Sequence, residues 1–77
     1  MAEKLAFQYD READILYIST RSPYPEQQTE ELGDDVVARL NPLTGEIENL
    51  EVLFFSARLE HGQPFELPID ANLRRNH

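Results

Sequence analysis

Short runs in which apolar and polar residues alternate recur along this chain, and a period of two is typical of strands with one buried face. In the first run, Leu5, Phe7 and Tyr9 share one phase, and a β-branched and aromatic run follows at residues 15–20. Residues 10–14 between the two runs are rich in turn-forming side chains. Together these segments predict a β-hairpin.

Residues 21–35 break this alternation. The prolines at 23 and 25 fix φ and remove backbone donors. Five acids follow, at Glu26, Glu30, Glu31, Asp34 and Asp35. We interpret the segment as a long acidic loop with room for one helical turn at residues 26–31. Because long loops in compact domains are more often functional or disordered than structural, this loop is a candidate binding surface.

Residues 46–55 predict a strand whose alternation slips. Ile47 is out of phase with Leu50 and Val52. One extra residue near Asn49 would bring Ile47 onto the face of the other two, and a β-bulge supplies such a residue. Asparagine also tolerates the left-handed backbone that a bulge can require.

Three further segments complete the predicted fold. Residues 36–40 form the strand before the bulged one, and residues 56–61 form a short helix that a following glycine ends. Residues 65–69 alternate again, but Pro68 restricts any strand there to a sheet edge. The predicted class is α+β and β-rich, an antiparallel meander of four or five strands with one short helix on one face.

Two stretches of the chain carry a family resemblance. They are Tyr-Asp-Arg-Glu-Ala-Asp-Ile-Leu-Tyr-Ile at residues 9–18 and, after the acidic segment, Gly-Glu-Ile-Glu-Asn-Leu-Glu-Val-Leu at residues 45–53. The sequence resembles the small bacterial proteins of domain of unknown function family 2283 over about residues 5–55. Asn49 stands where the family usually has glycine, and the family's Gly-Ile-Glu carboxylate falls on Glu51. The resemblance implies no assigned activity and no catalytic residue. Some members of the family lie near genes for small toxin-like proteins, and the resemblance therefore implies an antitoxin-like or accessory role.

The 77 residues have room for a single domain, residues 1–77, with one core. Beyond the family-like part, the domain has a C-terminal helix and edge segment at residues 56–70, and residues 71–77 are expected to fray. A chain this short buries only about 60–65% of its unfolded surface. It has no cysteine, which excludes disulfides and thiolate metal sites. Its stability therefore comes either from efficient packing or from self-association.

The net charge of −8 arises from 15 acids and 7 bases. Because nucleic-acid binding needs a basic face and the bases here are scattered, we expect no nucleic-acid partner. An acidic surface suits a basic protein partner, although such charge can also serve only to keep a small protein soluble. The longest apolar run, residues 52–55, is far shorter than the ~20 residues that span a bilayer, and the N-terminus lacks signal-peptide character. We expect a cytoplasmic protein that does not bind membranes.

No catalytic residue, cofactor or metal site is predicted. Asp10, Glu12 and Asp14 are spaced like the start of a calcium loop. The sixth and twelfth positions of such a loop would be Ile15 and Arg21 instead of glycine and glutamate. We therefore interpret these acids as a solvated hairpin turn in which Asp10 bonds the turn backbone.

Adjacent Phe54 and Phe55 must point to opposite faces if both lie in a strand, so one is exposed unless residues 56–69 or a second subunit covers it. With the acids of the loop they form the predicted partner surface, which comprises Glu26, Glu30, Glu31, Asp34, Asp35, Phe54 and Phe55. We expect a non-enzymatic protein-interaction module that binds a protein partner or forms a homodimer. The alternative is a small enzyme or ligand-binding protein with a site at a homodimer interface, using the carboxylates of Asp10, Glu12, Asp14 and Glu51.

Overall fold

The computed structural model describes residues 4–76, so the expectation of fraying at His77 lies outside the described residues. One five-stranded sheet and one short helix make up the regular structure of this part of the chain. The elements are β1 (Ala6–Asp10), β2 (Ile15–Ser19), β3 (Gln28–Gly33), β4 (Val36–Leu40), β5 (Ile47–Leu53) and α1 (Phe55–Glu60). All strand pairs are antiparallel, and the predicted α+β, β-rich class is confirmed.

The strand order across the sheet is β1-β2-β5-β4-β3, which departs from a sequential meander. Three pairs of consecutive strands, β1–β2, β3–β4 and β4–β5, are hairpins, but β2 pairs with β5, so β3 lies at the far edge beside β4. Residues 20–27 therefore run from the end of β2, past the first residues of β5 and the last residues of β4, to the start of β3. This crossing connection sets the position of β3.

The predicted acidic loop is wrong at residues 28–33, which form the edge strand β3 instead of a loop or a helical turn. Asp34 and Asp35 both have positive φ, 52° and 59°, and they join β3 to β4 in a two-residue turn. Such turns match the twist of hairpin strands and favour residues that tolerate the left-handed region. The strand escaped the pattern analysis because its side chains are polar or acidic except for Leu32, so they show no hydrophobic alternation.

The predicted bulge is confirmed at the start of β5. Arg39 lies opposite Asn49, whereas its neighbour Leu40 lies opposite Ile47, so Glu48 is the extra residue. The shift places Ile47 on the same face of the sheet as Leu50, as expected. Asn49 is not among the residues of positive φ in the described chain, so the suggested left-handed backbone is wrong.

The core lies on one face of the sheet. Its buried members are Ile18, Val36, Ala38, Leu50 and Val52, and Phe55, Phe65, Leu67 and Ile69 pack over them. Each fully buried aliphatic side chain of this kind contributes about 1.5–3 kcal/mol. The predicted strand at residues 65–69 is absent from the described chain, and this segment covers the core as irregular backbone. Tyr9 and Tyr17 are only partly covered at the sheet surface.

The strand β5 ends at Leu53, two residues earlier than predicted, because Phe54 adopts a left-handed backbone with φ of 53°. Phe55 then begins α1, and Gly62, with φ of 69°, follows its end as predicted. The two phenylalanines therefore do not alternate in a strand. Phe55 is half-buried against the core, whereas Phe54 is 59% exposed.

Candidate interaction surface

An uncompensated acidic edge runs along β3 and the turn that follows it. We define the acidic edge as Glu26, Glu30, Glu31, Asp34 and Asp35, all of which are exposed. Among residues 4–76, the ion pairs join Arg21 to Glu48 and Arg39 to Glu51, so none neutralises this edge. The five charges lie on neighbouring backbone at the outermost strand, where a partner has free access.

The fold brings Phe54 next to this edge. The Asp35 carbonyl accepts a hydrogen bond from the Leu53 N–H at 2.8 Å, which joins the β3–β4 turn to the end of β5. Asp35 and Phe54 line one open groove of about 520 Å³, whose far side includes Arg58 and Phe65. Of the two phenylalanines predicted in the partner surface, only Phe54 is thus exposed beside the acids.

Phe55 belongs to an aromatic cluster beneath the helix. Its ring centroid lies 5.7 Å from that of Tyr9 and 6.1 Å from that of Phe65, in tilted and edge-on arrangements. Such geometry is favourable for aromatic pairs. The C-terminal segment of the chain itself therefore covers Phe55, as one of the two sequence-based alternatives proposed.

A buried polar cluster at the bulge, which we call the bulge cluster, was missed by the sequence analysis. The carboxylate of Glu48 accepts hydrogen bonds from the Tyr24 hydroxyl at 2.6 Å and from the Gln27 amide at 3.1 Å. Arg21 and Asn41 each donate to its second oxygen at 3.3 Å. These donors favour the ionised form, and the hydrogen bond from Tyr24 contributes most to lowering the pKa of Glu48 to about 2.

Asn49 extends the bulge cluster toward the crossing connection. Its side-chain oxygen accepts a hydrogen bond from Gln27 at 2.7 Å, and its amide donates to the Arg21 carbonyl at 2.7 Å. Both Glu48 and Asn49 are buried although they are polar. Because most of their partners lie in residues 20–27, the cluster fixes the connection that carries the chain to β3. The slip in alternation at Ile47 indicates the bulge at which this cluster forms, but not which side chains are buried there.

The hairpin carboxylates have separate structural partners. Asp10 accepts hydrogen bonds from the N–H groups of Glu12 at 3.0 Å and Ala13 at 3.2 Å, as expected for a turn. Asp14 is more than a solvated turn residue, because it accepts the Tyr9 hydroxyl at 2.5 Å and the Ser56 hydroxyl at 2.7 Å. The hydrogen bond with Tyr9 lowers the pKa of Asp14 and raises that of Tyr9. Asp14 thereby holds the start of α1 to the β1–β2 turn.

The structure does not gather the candidate carboxylates into one site. Glu51 pairs with Arg39 at 2.7 Å on the open face of the sheet, whereas Asp10 and Asp14 bond within the hairpin and to α1. Within residues 4–76, no group of three or more acidic or histidine side chains is placed to hold a metal ion. The carboxylates outside the acidic edge that form these contacts act as structural anchors.

The fold and these anchors define a small antiparallel β domain. Within residues 4–76 its buried side-chain polar groups are satisfied, and its exposed features include the acidic edge, Phe54 beside that edge and Phe7 on β1. The family model described as "Protein of unknown function (DUF2283)" matches residues 6–56, about two thirds of the chain. The chain belongs to this family. No curated protein and no solved structure gives a significant match. Across residues 4–76, no helix has the length and apolar character needed to cross a membrane.

Proposed function

We propose that this domain is a non-enzymatic, cytoplasmic interaction module that binds a basic protein through the acidic edge and Phe54. The observation that carries the proposal is the placement of an exposed phenylalanine in the same groove as Asp35, beside unpaired carboxylates. Apolar anchors surrounded by polar groups are the usual centre of a protein interface. Clustered charge of one sign adds attraction to a partner of opposite charge and speeds its association.

The backbone at Phe54 supports a binding role for this side chain. A left-handed φ is unfavourable for a bulky residue, and such strain persists only where neighbouring structure imposes it. Here the Leu53 N–H donates to Asp35 and the Phe55 N–H donates to Asp14, at 2.8 and 3.2 Å, on either side of Phe54. These contacts fix the backbone from which the exposed ring of Phe54 projects beside the acidic edge.

The acidic edge also offers an unpaired strand. β3 pairs with β4 on one side only, so its outer backbone groups are available to a basic segment in extended conformation. Addition of such a strand would place lysine or arginine side chains beside Glu30 and Glu31. The proposed partner therefore contributes both positive charge and an apolar surface for Phe54.

The test is affinity capture of partners from the native cells with the full chain as bait. Two variants serve as matched baits. The edge variant is neutralised at four residues of the acidic edge: Glu30→Gln, Glu31→Gln, Asp34→Asn and Asp35→Asn. The control variant has the same change of charge at exposed acids elsewhere: Glu12→Gln, Glu46→Gln, Glu66→Gln and Asp70→Asn. Asparagine tolerates the positive φ at positions 34 and 35, so the turn is retained. We expect the wild type and the control to retain a basic protein that the edge variant loses.

Equal recovery by all three baits, or recovery of no specific protein, would contradict the proposal. The narrower form of the proposal is antitoxin-like, in which the domain masks the cationic surface of a small toxin. In that case the captured partner arrests growth when it is expressed alone, and co-expression of the wild type but not of the edge variant restores growth.

A further inference from the structure

The outer side of β1 is an exposed sheet edge that the proposed function leaves unused. Every residue of β1 is exposed, and the strand pairs only with β2. Its outward backbone N–H and C=O groups are a template for another strand.

Apolar side chains on β1 continue the core face up to this edge. Phe7 lies opposite Ile18 and Tyr9 lies opposite Leu16, so both rings share the face of the sheet that carries the core. Phe7 is 63% exposed, Tyr9 is 40% exposed, and Leu5, two residues before Phe7, is 49% exposed. A strand added beyond β1 would cover this row.

The two edges of the sheet differ in their protection. Exposed Glu30 and Glu31 on β3 discourage pairing with another strand of like charge, and a register shift interrupts this strand only at its end, before Gly33. β1 carries one charged residue, Asp10, and that residue lies at the end of the strand. Of the two edges, β1 is therefore the one suited to pairing with an identical strand.

We propose that two copies of this chain pair antiparallel along β1, about a two-fold axis near Gln8, and join their five-stranded sheets into one. In this register Phe7 lies opposite Tyr9 of the partner subunit on the core face, which is a favourable cross-strand pair. The same patch serves both copies, so the contact closes as a dimer. This inference is independent of the basic partner, because it uses the opposite edge of the sheet.

Charge complementarity supports the antiparallel arrangement. Lys4 precedes β1, and the turn at residues 10–14, which carries three acids and one arginine, follows it. Antiparallel pairing brings the start of one β1 beside the end of the other, so Lys4 meets a turn of net negative charge. Pairing of β1 with β3 of the next copy would place Asp10 beside an acidic strand, and that heterologous contact would leave free edges and grow into filaments.

The test is the solution mass of the full chain by light scattering over a concentration series up to the millimolar range. We expect the mass to rise from 8.9 kDa for one chain to twice that value and then to stop. The variant Phe7→Lys places like charges at the centre of the contact, so its mass should stay at one chain. Leu43→Lys, at a residue 94% exposed in the β4–β5 turn, is the control that should still dimerise.

Hydrogen exchange of the wild type supplies a readout that does not depend on a variant. Backbone amides of β1 should exchange more slowly as concentration rises, whereas those of β3 should not change. A mass of one chain at all concentrations, growth beyond two chains, or concentration-dependent protection at β3 instead of β1 would overturn the inference.

Discussion

Glu48 occupies the extra position of the bulge in β5, and its carboxylate receives four hydrogen bonds from side chains. Because the pKa of Glu48 falls from 4.5 to about 2, its ionised form is favoured by folding. A carboxyl whose pKa is lowered in the folded state stabilises that state above its unfolded pKa, and the contribution is lost as the pH falls through the folded pKa. Through the bulge cluster, the free energy of unfolding of the domain therefore decreases at acidic pH.

We expect the wild type to lose stability relative to Glu48→Gln as the pH falls from about 4.5 to about 2, because only the wild type has this carboxylate to protonate. The measurement is the free energy of unfolding in urea at a series of pH values. Glu46→Gln, at an exposed acid two residues away, is the matched control and should keep the wild-type dependence. The account of the bulge cluster fails if Glu48→Gln and the wild type lose stability in parallel.

The sequence predicted the bulge in β5 but not the buried polar cluster that forms at it. The slip between Ile47 and Leu50 indicated one extra residue near Asn49, because a one-residue change reverses the face on which the following side chains lie, and the structure places that residue at Glu48. Which side chain turns inward depends on partners in residues 20–27, and no local pattern connects those residues to β5. The burial of Glu48 and Asn49 was therefore beyond sequence reasoning.

The junction of β5 and α1 is the element whose geometry matters most for the proposed surface. Phe54 takes a left-handed conformation there, which costs an L-residue with a side chain about 1–2 kcal/mol and costs glycine little. Its ring is mostly exposed, so removal of the ring has little effect on packing.

We expect Phe54→Gly to be more stable than Phe54→Ala by about 1–2 kcal/mol, since only glycine relieves the backbone strain. Chemical denaturation of both variants measures this difference. Both should lose affinity for the basic partner, which separates the role of the ring in binding from its effect on folding. If alanine proves as stable as glycine, the position carries no strain.

Strands whose apolar residues form an alternating or continuous run were predicted well, including the exposed β1, whereas the polar and acidic β3 was not. β2, β4 and β5 have runs of apolar residues, because the core depends on them. β3 contributes chiefly exposed side chains and is held as a strand by its pairing with β4 and by the turn at Asp34 and Asp35. Pairing of this kind comes from the rest of the fold, so local composition indicated only an acidic loop.

For the whole molecule, the chain order and the charge distribution combine to give two unlike edges. The crossing connection places acidic β3 at one edge, and the aromatic strand β1 lies at the other. The sequence established the net charge and the fold class, whereas the separation of the two surfaces required the strand order. The basic partner and the second copy that we propose would therefore bind at opposite edges and would not compete.

Chemical-shift mapping tests the central claim, that the acidic edge and Phe54 form the partner surface, most directly. The ¹⁵N-labelled chain would be titrated with the purified basic protein recovered by capture, at low and at high salt. We predict shifts confined to residues 26–35 and 53–55, with weaker binding at high salt because the charges are screened. Shifts concentrated on β1 or on the open face around Glu51, or binding that salt leaves unchanged, would contradict the account.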